Sequence, residues 1–225
     1  LHACLAFTKN TTPNKMIAII DYEAGNLTSV ARALTHLGYE NEITYSAEAI
    51  LAAERVIFPG VGAAKATMNT LKKRGLAEVL ANCYNTGKPM LGICIGIQIL
   101  FAHSAEEDSE CLGFLPGYVK KFGNTNAGAK MPHQTLKVPQ IGWNEVYQTQ
   151  AHPIFEGIPN PAHFYFVNSY YPVPEMKAVV IGQTTYGLEF CSAIAYNNLI
   201  ATQFHLEKSG RMGLKMLNNF LTLSY

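Results

Sequence analysis

Short apolar runs alternate along the first half of the chain with stretches whose apolar positions recur every three or four residues. The runs read as buried strands and the periodic stretches as amphipathic helices. On that basis residues 16–21 form a strand, 27–37 a helix ended by Gly38, 43–45 and 55–58 strands, and 64–74 and 76–84 helices. Pro89-Met90-Leu91 closes another buried strand, and residues 95–101 continue from it as a helix. Such alternation implies an α/β fold with a doubly wound, mostly parallel sheet and helices on both faces. The second half is β-rich, with strands expected at 118–122, 163–167, 178–185, 190–196 and 199–204 before a closing helix at 211–221. With no internal repeat, low-complexity tract or long linker, residues 16–225 read as one domain.

The pattern is most pointed at Gly92-Ile93-Cys94-Ile95-Gly96, where a cysteine sits between two glycines as a strand runs into a helix. In such an elbow the missing β-carbons let strand and helix pack closely, and the central side chain is thrust out of the turn. A helix N-terminus favours a negatively charged sulfur and aims the Ile95 N–H at any oxyanion formed on an attacked carbonyl. A base lies far down the chain, in Gln203-Phe204-His205-Leu206-Glu207-Lys208. If extension persists through Glu207, His205 and Glu207 point to the same side, because strand side chains alternate with period two. The carboxylate then orients the imidazole and the imidazole serves Cys94, a nucleophile, base and orienter in the usual triad logic.

Composition narrows the class. The chain is 48% hydrophobic and 15% charged with a net charge of +1, so it can bury a large core and has no basic footprint for nucleic acid. The apolar run at the elbow is too short to cross a bilayer. Five cysteines, Cys4, Cys83, Cys94, Cys111 and Cys191, show neither zinc spacing nor a dense disulfide framework, which fits a reducing cytoplasm and predicts no metal or cofactor. Residues 1–15 carry no secretory signal pattern and read as an N-terminal extension without catalytic role, or as a short docking arm.

The ordered set Ile19-Ile20-Asp21-Tyr22, Gly25-Asn26-Leu27, Phe58-Pro59-Gly60-Val61-Gly62-Ala63, the elbow through Gln98, Gly113-Phe114-Leu115-Pro116-Gly117, Pro139-Gln140-Ile141-Gly142-Trp143-Asn144, Phe164 to Tyr171 and Gln203 to Ser209 resembles the class I glutamine amidotransferases. In detail it is similar to the glutaminases of histidine biosynthesis. The resemblance implies a flavodoxin-like fold and hydrolysis of L-glutamine through a thioester on Cys94, with His205 and Glu207 completing the triad. It implies an oxyanion hole from the N–H groups of Val61 and Ile95, and substrate contacts from Gly60, Gln98, Glu106, Ser169 and Tyr170, Glu106 receiving the α-ammonium. It also implies that ammonia passes to a (β/α)₈-barrel cyclase/synthase subunit, with Asn26 and Lys208 on the partner-facing surface.

Read without the resemblance, Gln98 is an ordinary exposed helix residue, Glu106 part of a solvated acidic loop and Lys208 a surface lysine. Four positions depart from the family pattern: Glu23 stands for glycine, Gln140 and Asn168 for histidines, and Leu206 for proline. They leave the chemistry intact and keep open a paralogous glutaminase serving a surface-sugar amidotransferase. A peptidase or γ-glutamyl hydrolase of similar fold, and a non-enzymatic scaffold, are the remaining alternatives.

Overall fold

The structure is a computed structural model that describes residues 16–23, 25–123 and 136–224. In chain order the elements are β1 (Ile17–Ile20), α1 (Leu27–His36), β2 (Asn41–Thr44), α2 (Ala47–Ala52), β3 (Arg55–Gly60), α3 (Ala64–Lys73), α4 (Leu76–Asn85), β4 (Met90–Cys94) and α5 (Ile95–Gln98). They continue as β5 (Phe101–Ser104), β6 (Ser109–Glu110), β7 (Leu115–Lys121), β8 (Gln140–Gln148), β9 (Ala162–Asn168), β10 (Tyr170–Pro174), β11 (Val180–Tyr186), β12 (Leu188–Tyr196), β13 (Leu199–Thr202) and α6 (Gly210–Thr222). The expected extension at residues 1–15 lies outside the described residues.

Nine strands form one sheet in the order β2-β1-β3-β4-β13-β12-β11-β8-β9. The pairings from β2 through β13 are parallel, and those from β13 through β9 antiparallel. The fold is thus α/β, with a doubly wound parallel half and a β-rich second half that extends the same sheet. The inner parallel strands β1, β3, β4 and β13 are buried along their whole length because both faces are covered, whereas the edge strand β2, Asn41-Glu42-Ile43-Thr44, is mostly polar and largely exposed. Ile17 and Ile19 face a core with Val30 and Leu34 of α1 and Met216, Leu217 and Phe220 of α6. Ala18 and Ile20 face the other, with Met68 and Leu71 of α3 and Leu76 and Leu80 of α4. Buried Arg55 closes the first face by donating to the carbonyls of Phe220 (3.1 Å) and Leu223 (2.7 Å) at the C-terminal end of α6.

A second sheet, β10-β7-β5-β6, packs beside the elbow and revises the expectation for residues 95–101. The helix there spans only Ile95–Gln98, and Phe101 opens β5. Carbonyls that would have continued the helix are taken elsewhere: Ile99 O accepts from Leu112 N (2.8 Å), Leu100 O from Leu115 N (3.1 Å) and Phe101 O from Gly113 N (3.0 Å). Similarly, the strand expected from 178 starts at Val180, after a 3₁₀ turn at Lys177–Val179. Helix α2, capped by Ser46 Oγ accepting from Ala49 N at 3.3 Å, has one buried residue, Ile50, and so offers no periodic stripe to read.

At the elbow the strand-to-helix turn is sharp. Cys94 takes φ 58° and ψ −104°, a strained backbone for a residue with a β-carbon. The glycines are demanded by contact: a β-carbon on Gly96 would lie 2.4 Å from the carbonyl oxygen of Phe58, and one on Gly92 would lie 2.9 Å from the Gly96 backbone. Gly96→Ala therefore forces β3 and α5 apart. Its expected cost is about 2–3 kcal/mol, seen as a fall in the thermal midpoint of about 5–10 °C for a chain of this size. Calorimetry giving the wild-type midpoint would refute this account of the elbow.

Candidate active site

Three neighbouring parallel strands, β3, β4 and β13, end together. In register Gly60 lies beside Cys94, and Thr202 beside Ile93. The loop after β3, the elbow after β4 and the turn after β13 therefore meet at the carboxyl edge of the sheet, the usual place for a ligand in open α/β folds. Cys94 is 6% exposed there and opens onto a cavity of about 240 Å³. A larger cleft of about 540 Å³ lies between β10, β11 and β12, but none of the expected site residues lines it; those that line a cavity line the smaller one.

His205 Nδ1 and Glu207 Oε1 are 2.8 Å apart, with both side chains 1% exposed. The expected pair forms, but not by the expected backbone. The strand expected to run to Phe204 ends at Thr202, residues 203 and 204 bend, and after the single bridge of His205 to Tyr165 the chain enters a 3₁₀ turn at Leu206–Lys208. Ser209 ties this turn to β9: its hydroxyl donates to His205 O (2.5 Å) and accepts from Tyr165 N (2.9 Å). His205 N also donates to Tyr165 O (2.9 Å). Helix α6 seals the turn from behind, since a β-carbon on Gly213 would stand 2.0 Å from Leu206 O. Asn26 Nδ2 donates to the same Glu207 Oε1. Asn26 is half-buried and Lys208 exposed, so of the two residues expected on a partner surface one touches the acid directly.

Burial works against a charged His205 ring, yet Cys94 and Glu207 outweigh it and push the ring up to about 9. Among the described residues the buried Nε2 has no hydrogen-bond partner of good geometry, although Cys94 lies close enough to raise the ring's hold on a proton. The other described cysteines are unsuited to nucleophilic work: burial pushes Cys111 up to about 11, Cys191 up to about 12, and Cys83 in the same direction. They remain thiols at neutral pH.

The small cavity is lined by Val61, Ile95, Gln98, Glu106, Ser169 and Tyr170, six of the expected residues, around Cys94. Val61 is 38% exposed, in the loop between β3 and α3. Gly60 does not line the cavity; it lies beneath the loop, where a β-carbon would stand 1.8 Å from the Tyr22 hydroxyl, which donates to Pro59 O (2.7 Å). Gln98 is 5% exposed, so the exposed-helix reading is overturned: the short helix turns inward beneath the second sheet. Glu106 Oε2 accepts from Ala64 N at 2.7 Å, and burial raises its carboxyl against the pull of that N–H. It is pinned at the start of α3, not loose in a solvated loop.

The sequence reading missed Tyr22, Ser209 and Gln203. Gln203 Nε2 donates to Cys94 Sγ at 3.8 Å. A lone glutamine after an apolar strand, two residues before a candidate base, was the available signal, since period two puts both side chains on one side.

Residues 18–223 match the family model for glutamine amidotransferase class-I. The chain is 48% identical over 210 residues to the imidazole glycerol phosphate synthase subunit HisH of Dehalococcoides mccartyi, covering 93% of this chain and 98% of that one. It is also 48% identical to the HisH subunit of Aromatoleum aromaticum, covering 92% and 97%. Among solved structures, PurLQS from Thermotoga maritima superposes with a TM-score of 0.67 at 16% identity, covering 93% of this chain and 98% of that chain. At that identity the likeness speaks for the fold.

The charge on His205 gives a pH signature. Its folded value, about 9, stands above the ordinary 6.5, so its contribution to stability is complete below about pH 6.5 and is lost as pH rises through 9. An NMR titration of the His205 ring should find a midpoint near 9 in the wild type. Glu207→Gln, which removes a hydrogen bond and a charge, should lower it. A wild-type midpoint below 7 would contradict this electrostatic picture.

Proposed function

The chain belongs to the glutamine amidotransferase class-I family, and from that premise we propose that it is the glutaminase subunit of imidazole glycerol phosphate synthase. The observation that carries the reading is a buried cysteine on a strained elbow, at the mouth of a small cavity, with a histidine–carboxylate pair behind it. In this reading Cys94 attacks the side-chain amide carbon of glutamine as thiolate. Negative charge passes to the carbonyl oxygen, which the N–H groups of Ile95 and Val61 receive. Collapse of this adduct expels the amide nitrogen; His205 supplies its proton, and ammonia leaves with a γ-glutamyl thioester on Cys94. Neutral His205 then takes a proton from water as the oxygen attacks the thioester carbon. Glutamate departs, the thiolate returns and His205 is again protonated. Glu207 holds Nδ1 throughout and stabilises the ring cation.

Substrate selection falls to the cavity wall. Glu106 uses one oxygen on Ala64 N–H, and the other is available to the α-ammonium of free glutamine. Gln98, Ser169 and Tyr170 complete that end, with Gly60 shaping the floor. The free thiolate this chemistry needs suits a reducing cytoplasm.

Ammonia needs a consumer, and the reading assigns it to a (β/α)₈-barrel cyclase/synthase partner. Ile141 (64% exposed) and Trp143 (56% exposed) stand on one side of β8, and Trp143 Cη2 approaches Gly210, two residues past Lys208. Exposed apolar groups beside an exposed lysine suit a docking face. Lys208 adjoins Glu207 in sequence and Asn26 bonds it, so docking has a short route to the acid.

The test is glutamate release by the chain alone and with the cognate histidine-pathway barrel and its ribonucleotide. Release should be low alone and strongly stimulated in the complex, and weakened stimulation is expected for Lys208→Ala. Cys94→Ala should abolish release, whereas Cys83→Ala and Cys191→Ala should retain it, and a glutamine-analogue electrophile should label Cys94. Glu207→Gln should lower kcat by about 10²- to 10⁴-fold with KM nearly unchanged. Label on another cysteine would defeat the chemistry; full activity alone, or stimulation only by a surface-sugar amidotransferase, would defeat the histidine-pathway assignment.

A further inference from the structure

Gln203 is fully buried, and a buried amide is costly unless its groups are paired. Its pairings are specific. Oε1 accepts from Gln98 Nε2 at 3.0 Å, Gln98 Nε2 also donates to Tyr170 O at 3.2 Å, and Gln203 Nε2 donates to Cys94 Sγ at 3.8 Å. The result is a continuous line of amides from the cavity wall to the sulfur.

The direction of this line is fixed by its chemistry, not by the ambiguity between amide oxygen and nitrogen. Tyr170 O can only accept, so Gln98 must present nitrogen to it. Gln98 then presents the same NH₂ group to Gln203, which must answer with oxygen. That leaves the Gln203 NH₂ facing Cys94. A flipped Gln203 would set donor against donor at Gln98 and an oxygen lone pair against the sulfur.

We propose that Gln203 is a positioning residue for the nucleophile, donating to the Cys94 sulfur so that its anionic form is stabilised and aimed at the cavity. Through Gln98 the same amide ties the sulfur to the wall at Tyr170. The imidazole supplies the mobile proton, and Gln203 supplies a donor that stays in place through every step. This role rests on the glutaminase reading, and a hydrogen bond to a charged atom is the strong kind, so its loss should be felt about ten- to a hundredfold.

The test uses Gln203→Met and Gln203→Leu, both apolar, of similar volume and unable to donate to the sulfur. The readout independent of glutamine is the rate of iodoacetamide alkylation at Cys94 at pH 7, followed on the Cys94 peptide by mass spectrometry. Wild type is expected to be fastest and each variant about tenfold slower. In glutamate release with the barrel partner, kcat should fall about ten- to a hundredfold while KM stays within about threefold. A residue that only filled space would shift the thermal midpoint and leave alkylation and kcat alone. If either variant is too unstable to purify, the other carries the test. Variant alkylation within twofold of wild type, in an enzyme that hydrolyses glutamine, would overturn the role of Gln203 alone. A wild type that neither hydrolyses glutamine nor is labelled at Cys94 would overturn the glutaminase reading and this inference with it.

Discussion

Everything at the active edge depends on the parallel ladder that holds β3, β4 and β13 side by side. Hydrogen bonds between strands fix the register to a single residue, because a one-residue slip would turn every side chain to the opposite face. With Gly60 beside Cys94 and Thr202 beside Ile93, three loops leave the sheet at one level. Apolar pressure on both faces keeps the ladder from sliding: β1, β3, β4 and β13 are buried from end to end. The glycines at 60, 92 and 96 then let the backbone of the elbow come closer to its neighbours than any side chain would permit.

Upon that frame sits a polar cluster almost closed to solvent. His205, Glu207, Gln203 and Gln98 are buried side chains whose pairings run through one another and through Asn26 and Tyr170. In such surroundings each hydrogen bond is strengthened by the low dielectric, and each missing partner is correspondingly expensive. Glu207 and His205 stabilise each other as an ion pair only while both stay in place; removing one leaves an uncompensated group in the interior. The site therefore behaves as one unit. Tyr22 and Gly25 extend it outward, the first holding Pro59 O and the second lying against Val61, so the turn before α1 touches the β3 loop on one side and Glu207 on the other.

The parallel half was legible because its inner strands are apolar runs and its longer helices carry apolar stripes, as in α1 with Leu27, Val30 and Leu34 buried, whereas the polar edge strand β2 showed only through Ile43. The elbow was legible from its two glycines. What periodicity could not see was competition from distant residues. Residues 95–101 have a helical pattern, but Leu112, Gly113 and Leu115 capture the carbonyls of Ile99, Leu100 and Phe101. In the His205 segment the pairing of His205 with Glu207 was read from strand alternation, whereas a 3₁₀ turn fixed by Ser209 and Gly213 produces it. Gln203 escaped notice for a related reason: its role exists only in relation to Cys94 and Gln98, each more than a hundred residues away in the chain. Strand β8 was hidden by its mixed character, with Ile141 and Trp143 turned outward where alternation leads one to expect polar residues.

The sheet order has a consequence for how the molecule comes into being. β13 lies at the seam between the parallel and antiparallel halves, yet it is the last strand in chain order among the described residues. β1 to β4 pair among themselves, as do β8, β9, β11 and β12, and the two halves of the sheet are joined only by β13, which lies between β4 and β12. His205 arrives with that same segment. Both β13 and the α6 that follows it, whose Met216, Leu217 and Phe220 pack with Ile17 and Ile19, must be in place before the core is closed and His205 stands near Cys94. A chain that ended short of β13 would lack both the strand that joins the two halves of its sheet and the imidazole that stands near Cys94.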